Sequence, residues 1–279
     1  LVPDVQFGGR ESSNVARVKG AKKMARVIEK AIADRERPLL KDVVMPFGTG
    51  YARLTVDESR FIVKQARRRY HRHNQARRFV ENEVWASMAR TLRGEVDPEE
   101  VRDQLRDDPE MRAVFERMWP VLTPAQLLHD LFGSKALLKS AALGILSESD
   151  YTALHRERST SSTEVRWTPA DVALLDEARS VLGPRPRRSG KIDDSDEIMT
   201  FGHIVVDEVQ DLSPMQLRML ARRSLNGSMT VVGDVAQSTA PWTPSGWSDI
   251  EQHLTPTRAP QRVELTVSYR TPAEVLEMA

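Results

Sequence analysis

The sequence predicts an α/β protein, a parallel β-layer whose chain is interrupted by a large helical module. Two observations carry this expectation. Late in the chain, the short apolar runs His203-Ile204-Val205-Val206 and Met229-Thr230-Val231-Val232 each end near carboxylates and are separated by a helical stretch at residues 214–223. Earlier, a capping side chain stands directly before a proline at Asp97-Pro98, Asp108-Pro109, Thr123-Pro124 and Thr168-Pro169. Proline lacks an N–H that the first helical position does not use, so each pair marks a helix start.

The elements follow in order. Ser12, Ser13 and Asn14 can cap a helix in which Val15, Val18, Met24, Val27, Ile28, Ala31 and Ile32 recur at helical spacing until Pro38. Residues 43–45 and 51–56 read as short strands about the turn Pro46-Phe47-Gly48-Thr49-Gly50, and Asp57 as the cap of a long helix running towards Gly94. Residues 57–182 then read as nearly all helix, with Gly133 and Gly183 at helix ends that want a left-handed residue. Residues 183–190 are proline-rich and basic, and the segment after them gathers Asp193, Asp194, Asp196 and Glu197; together they read as a charged flexible loop. A third apolar run occupies residues 263–267. The expected organisation is a first part of an α/β domain at 1–56, a helical insertion at 57–182, a charged loop at 183–200 and a second α/β part at 201–279.

Composition removes several function classes. With 41 Lys+Arg against 40 Asp+Glu the net charge is +1, so any affinity for nucleic acid must come from local clustering. The 40% hydrophobic and 29% charged content belongs to an ordinary globular protein and not to a fibrous or disordered one. The absence of cysteine excludes disulfide frameworks, thiolate zinc sites, iron–sulfur clusters and a Cys nucleophile; it suits a reducing compartment, and the cytoplasm is expected. No apolar run approaches the ~18 residues that span a bilayer, so no membrane partner is expected. Beginning at Leu1, the chain is expected to be the interior of a longer protein.

The strongest chemical signal is Ile204-Val205-Val206-Asp207-Glu208-Val209-Gln210-Asp211. A strand here is expected to be buried and to deliver two consecutive carboxylates to its C-terminal end, where open α/β sheets bind ligands. One carboxylate there can hold the magnesium of a nucleotide while its neighbour orients and deprotonates a water aimed at the γ-phosphate. Asp207 suits the first role and Glu208 the second.

Asp207-Glu208-x-Gln210-Asp211, followed by a second strand ending in Gly233-Asp234-x-x-Gln237-Ser238, resembles motifs II and III of UvrD/Rep-type superfamily 1 helicases. Leu265-Thr266-Val267-Ser268-Tyr269-Arg270-Thr271-Pro272 is similar to motif IV of the same group. Within it, the runs at residues 171–178 and 211–216 look closest to the HelD-like RNA polymerase-associated helicases. The resemblance implies part of a RecA-like P-loop NTPase sheet with the helical module inserted, so that 1–56 and 201–279 are two parts of one motor domain. It implies ATP and Mg2+ as cofactors and nucleic acid or RNA polymerase as partners. By the same resemblance Asp207 coordinates magnesium, Glu208 activates water, Gln237 senses the γ-phosphate, Arg270 stabilises its charge and Tyr269 stacks on adenine, with Gln210 and Asp234 also at the nucleotide.

This sequence departs from the pattern in two places. No Gly-x-x-x-x-Gly-Lys-Ser/Thr occurs: Gly48-Thr49-Gly50 lacks the lysine, and Gly8-Gly9-Arg10 runs into Glu11-Ser12. The chain alone is therefore expected to be inactive, and hydrolysis to belong to a parent that remodels nucleic-acid or polymerase complexes. After motif III, where helicases carry aromatic residues that stack bases, stand only Trp242 and Trp247, either of which could stack one.

Residues 64–78 form a second candidate, with seven basic residues (Lys64, Arg67, Arg68, Arg69, Arg72, Arg77, Arg78) and no acid. Arg67, Arg68 and Arg72 are expected to meet nucleic-acid phosphates or acidic polymerase surface. The acidic loop at Asp193, Asp194, Asp196 and Glu197 is the matching candidate for entering a polymerase channel. The rival expectation is a non-catalytic polymerase-binding module built from the helical insertion and this loop.

Overall fold

The computed structural model describes residues 6–186, 198–254 and 259–265. A short strand β1 (Gln6–Phe7) leads to α1 (Ser13–Gly20), capped by Ser12, whose hydroxyl accepts from the Val15 N–H, and to α2 (Lys23–Ala33). The single helix expected here is two, because Ala21 turns extended at φ −70°, ψ 135°. The end of α1 has no room for a side chain: a Cβ on Gly20 would lie 2.7 Å from Ser213 Cβ and 3.2 Å from Trp242 Cε3.

Next come β2 (Val43–Phe47) and β3 (Gly50–Leu54), an antiparallel hairpin in register from Val43↔Leu54 to Phe47↔Gly50. Then α3 (Val56–Arg69) begins under a capping box of Thr55 and Glu58, so the cap is Thr55 and not Asp57. The long helix expected to follow breaks where Tyr70 and Arg72 turn extended, and α4 (His73–Ala89) is a separate element.

The proline-marked starts are all present: α5 (Pro98–Leu105), α6 (Pro109–Met118), α7 (Pro124–Phe132) and, later, α10 (Pro169–Leu182) each carry the preceding Asp or Thr as a bonded N-cap. Between them lie α8 (Lys135–Ala142), α9 (Glu148–Ala153) and β4 (Arg166–Trp167). Gly183 is left-handed at φ 69°, as expected. Gly133 is not, at φ −80°; closeness accounts for it instead, since a Cβ there would sit 2.9 Å from His129 O.

The last segment holds β5 (Ile204–Val206), α11 (Pro214–Arg223), β6 (Met229–Val231) and α12 (Trp247–Leu254). β5 and β6 are parallel, with Ile204↔Met229, Val205↔Thr230 and Val206↔Val231 paired. Of the third expected run, residues 263–265 have no regular structure and the rest lies outside the described residues.

The protein is therefore mixed α/β. Among the described residues its strands form three two-stranded sheets, β1–β4, β2–β3 and β5–β6. β5 is not the buried strand expected: Val206 is 7% exposed but Val205, facing the other way, is 70% exposed. No helix among the described residues is long and apolar enough to cross a membrane.

Three apolar clusters hold these elements. α1, α2, α7, α8 and α10 share Met24, Ile28, Leu128, Phe132 and Leu174, together with Trp167 of β4. The hairpin shares a second cluster with α3 to α6, around Leu54, Ile62, Val84, Phe115 and Trp119. A smaller third one, Val206, Val209, Leu217, Ile250 and Leu254, supports β5 and β6. The hairpin thus packs against α3 to α6.

Polar contact joins the third unit to the first. Asp176 and Glu177 of α10 are buried, and α11 grips them with three arginines. Arg218 Nε lies 2.9 Å from Glu177 Oε2, Arg222 reaches Asp176 Oδ2 at 2.7 Å and also Glu177, and Arg223 holds Asp176 Oδ1. Burial works to raise the Glu177 carboxyl, but Arg218 and Arg222 outweigh it and hold it below its ordinary 4.5. A carboxylate lowered in the folded state contributes stability above about pH 4.5, lost as the pH falls through its folded value. Glu177→Ala is expected to cost about 2–4 kcal/mol in urea unfolding at pH 7, under the ~5 kcal/mol limit for a fully buried pair because the arginines keep some water contact. Glu177→Gln should in addition flatten the fall in stability on acidification, and an unchanged acid limb would refute the assignment.

Candidate functional site

Because β5 and β6 run parallel and in register, the segments leaving their C-terminal ends emerge side by side. Backbone bonds continue past the strands, from Val232 N–H to Val206 O at 2.8 Å and from Val209 N–H to Val232 O at 3.1 Å. Asp207 and Glu208 follow β5, and Asp234 and Gln237 follow β6; all four are exposed. The two motif segments thus form one cluster.

Glu208 is held in the left-handed region at φ 51°, ψ 42°, alone among the described non-glycine residues. For a residue with a Cβ this costs ~1–2 kcal/mol. Two side chains hold it there. The Glu208 N–H donates to Asp207 Oδ1 at 2.9 Å, and Gln210 Nε2 donates to Glu208 Oε2 at 2.7 Å. Gln210 is only 2% exposed, and its other end accepts from the Asp234 N–H at 3.1 Å. Both ends of its amide are therefore engaged by protein, and it ties the β5 loop to the β6 loop. Gly233 makes the tie possible, since a Cβ there would lie 2.3 Å from Gln210 Oε1.

The carboxylate of Asp234, though exposed, is likewise engaged within the protein. Its Oδ1 caps the Ala236 N–H at 3.0 Å, and its Oδ2 accepts from Gln237 Nε2 at 3.0 Å, which orients the Gln237 amide. Asp211 closes the cluster, its Oδ1 accepting from Thr239 N–H at 3.3 Å and its carbonyl from Trp242 Nε1 at 3.2 Å. What remains open is Asp207 Oδ2, Glu208 Oε1 and the carbonyl end of the Gln237 side chain.

Among the described residues no group of three or more His, Asp or Glu side chains is arranged to hold a metal ion. Magnesium at a nucleotide commonly takes one or two carboxylates and completes its shell with water and phosphate. Asp207, exposed and with one oxygen uncommitted, fits that use.

The other candidates separate. Arg67 is exposed yet already engaged: its Nε pairs with Glu36 at 2.7 Å and its Nη2 donates to the Ala33 and Glu36 carbonyls, capping the end of α2. Arg77 is held by Glu81 and the carbonyls of Phe115 and Trp119. Arg68 and Arg72 are exposed, although the stem of Arg72 rests on Gly183. The Trp242 indole is bonded to Asp211 and lies against Gly20, and Trp247 packs on the third cluster, so both are in use as packing groups. Asp193, Asp194, Asp196, Glu197, Tyr269 and Arg270 lie outside the described residues. The sequence reading missed the Asp176–Glu177 clamp, although the basic face of residues 218–223 was a visible signal.

No protein family matches this chain, and no curated protein is significantly similar to it.

Gln210→Ala would remove the side-chain bonds to Glu208 and to the Asp234 N–H, at ~0.5–1.5 kcal/mol each, and is expected to destabilise by ~1–3 kcal/mol. Gly233→Ala should cost a similar ~1–3 kcal/mol through overpacking. Thermal unfolding with hydrogen exchange at the Asp234 amide checks both; unaltered Asp234 protection in Gln210→Ala would exclude the tie.

Proposed function

We propose that this chain supplies the magnesium-binding, water-activating half of the nucleotide site of a superfamily 1 helicase-like ATPase, of the UvrD/Rep type and closest to the HelD-like polymerase-associated proteins. The observation that carries the reading is Glu208: an exposed carboxylate kept in a costly backbone conformation and bonded through Gln210 to the loop bearing Gln237. Strain of that kind persists where the surroundings enforce it and clusters at functional sites. The parallel β5–β6 pair with its crossover helix supports, as a coarser match, part of a RecA-like sheet.

In this reading Asp207 holds the magnesium of ATP through its open oxygen. Glu208 Oε1 orients the attacking water and accepts its proton, with the opposite carboxylate oxygen fixed by Gln210. Gln237 faces the γ-phosphate, and through Asp234 and Gln210 its position is coupled to that of Glu208. Tyr269 and Arg270 retain the adenine-stacking and charge-stabilising roles that the resemblance implies. The phosphate cradle with its lysine is supplied by a polypeptide that carries both halves, and hydrolysis there drives remodelling of nucleic-acid or RNA polymerase complexes in the cytoplasm.

Phosphoryl transfer depends on positioning and charge stabilisation, so the chain as given should neither bind ATP tightly nor release phosphate above a Glu208→Gln control. In a polypeptide carrying both halves, Glu208→Gln should keep ATP binding yet slow turnover by about two to four orders of magnitude. Asp207→Asn should instead weaken magnesium-dependent nucleotide binding. Nucleotide affinity and phosphate release measured side by side decide this; normal turnover in Glu208→Gln would remove the water-activating assignment, and no turnover in the unaltered polypeptide would favour the non-catalytic polymerase-binding reading.

A further inference from the structure

A cleft of about 280 Å³ opens on the helical body, away from the β5–β6 loops, between the segment after α2, the end of α6 and the start of α7. Arg35, Arg37 and Arg117 line it, with Gln126 at one side and Pro120, Val121 and Leu122 as an apolar floor. The two outer arginines are fixed in an unusual way. Arg117 donates its Nε to Pro38 O at 3.2 Å and Arg37 its Nε to Asp34 O, and among the described residues neither has a carboxylate partner. Each fork is thus anchored by the stem side while its two terminal nitrogens remain uncommitted among the described residues. Arg35 adds positive charge, its terminal nitrogens 3.4 Å from Asp130, which also pairs with Arg158.

Of the acids nearby, one is engaged and the other points largely to solvent. Glu36 is taken by Arg67 and His73, and Glu116, which also lines the cleft, is 66% exposed and lies 3.7 Å from Arg77. The floor is rigid: Asn74 bonds both the N–H and the carbonyl of Leu122, and His73 bonds Pro120 O at 2.7 Å. A carboxylate satisfies one arginine fork, whereas a phosphoryl group presents three oxygens and can satisfy two. The size is near the low end for small-molecule sites, which begin at roughly 300 Å³.

We propose that this cleft binds a small phosphate monoester, its phosphoryl oxygens gripped by the Arg37 and Arg117 forks and its compact apolar body lying on Pro120, Val121 and Leu122. The site is independent of the proposed ATP half-site and shares no residue with it.

The test is calorimetric titration of the chain with phenyl phosphate, inorganic phosphate, benzoate and a short oligothymidylate, with phosphorus NMR as a second readout. Phenyl phosphate is expected to bind most tightly, inorganic phosphate more weakly and benzoate least. The Arg37→Lys/Arg117→Lys variant keeps the charge but loses both forks and should weaken phenyl phosphate by about tenfold to a hundredfold. Arg37→Ala/Arg117→Ala should lose it altogether, while Arg68→Ala, an exposed arginine elsewhere, should bind as the parent does. Equal binding by the lysine variant, preference for benzoate, or binding of the oligonucleotide alone would each overturn the proposal. Melting curves identify any variant that unfolds, and the lysine pair, which preserves stem packing, then carries the decision.

Discussion

The buried pair Asp176 and Glu177 is the constraint on which the arrangement of the α/β segment rests. Two adjacent carboxylates removed from water are untenable without compensating charge. All three arginines that supply it, Arg218, Arg222 and Arg223, come from α11, the helix that joins β5 to β6. α11 can therefore lie in only a narrow range of positions on α10. Its first turn is held as well, with Met215 buried in the first apolar cluster and Ser213 pressed against the space that Gly20 leaves open. The position of α11 then sets where the two strands end.

At those ends, buried and exposed groups divide the work. Gln210 is inaccessible and makes three bonds: its side chain to Glu208 and Asp234, its carbonyl to the Ser238 hydroxyl at 3.2 Å. Asp207, Glu208 and Gln237 are exposed and keep atoms free for a ligand. A displacement of either loop must alter the same amide, so the two cannot move independently without breaking one of its part-buried hydrogen bonds. That coupling is a property of packing, since Gln210 and Asp234 belong to different turns after different strands.

The remaining helical body shows the same economy of charge. Lys19 is buried among Glu11, Asp171 and the ring of Phe132, while Arg156 lies over Trp167 at 4.5 Å. These groups tie the segment before α1 to the cap of α10. Arginines that look alike in sequence consequently have unlike fates: Arg67 and Arg77 close helix ends, whereas Arg37 and Arg117 are anchored with their terminal nitrogens open among the described residues.

The sequence by itself determined whatever depends on neighbours along the chain. The proline-marked starts of α5, α6, α7 and α10, the span of α11, the left-handed Gly183 and the placement of Asp207 and Glu208 at the end of β5 all follow from short-range sterics and capping. Tertiary structure decided the rest. It broke the first helix at Ala21 and the long helix at residues 70–72, packed the hairpin against α3 to α6 and left Val205 exposed, because apolar periodicity records that a residue prefers burial but not which partner buries it. It also made Gln210 a bridge between two loops, since the Asp234 N–H becomes its neighbour only once β5 and β6 pair.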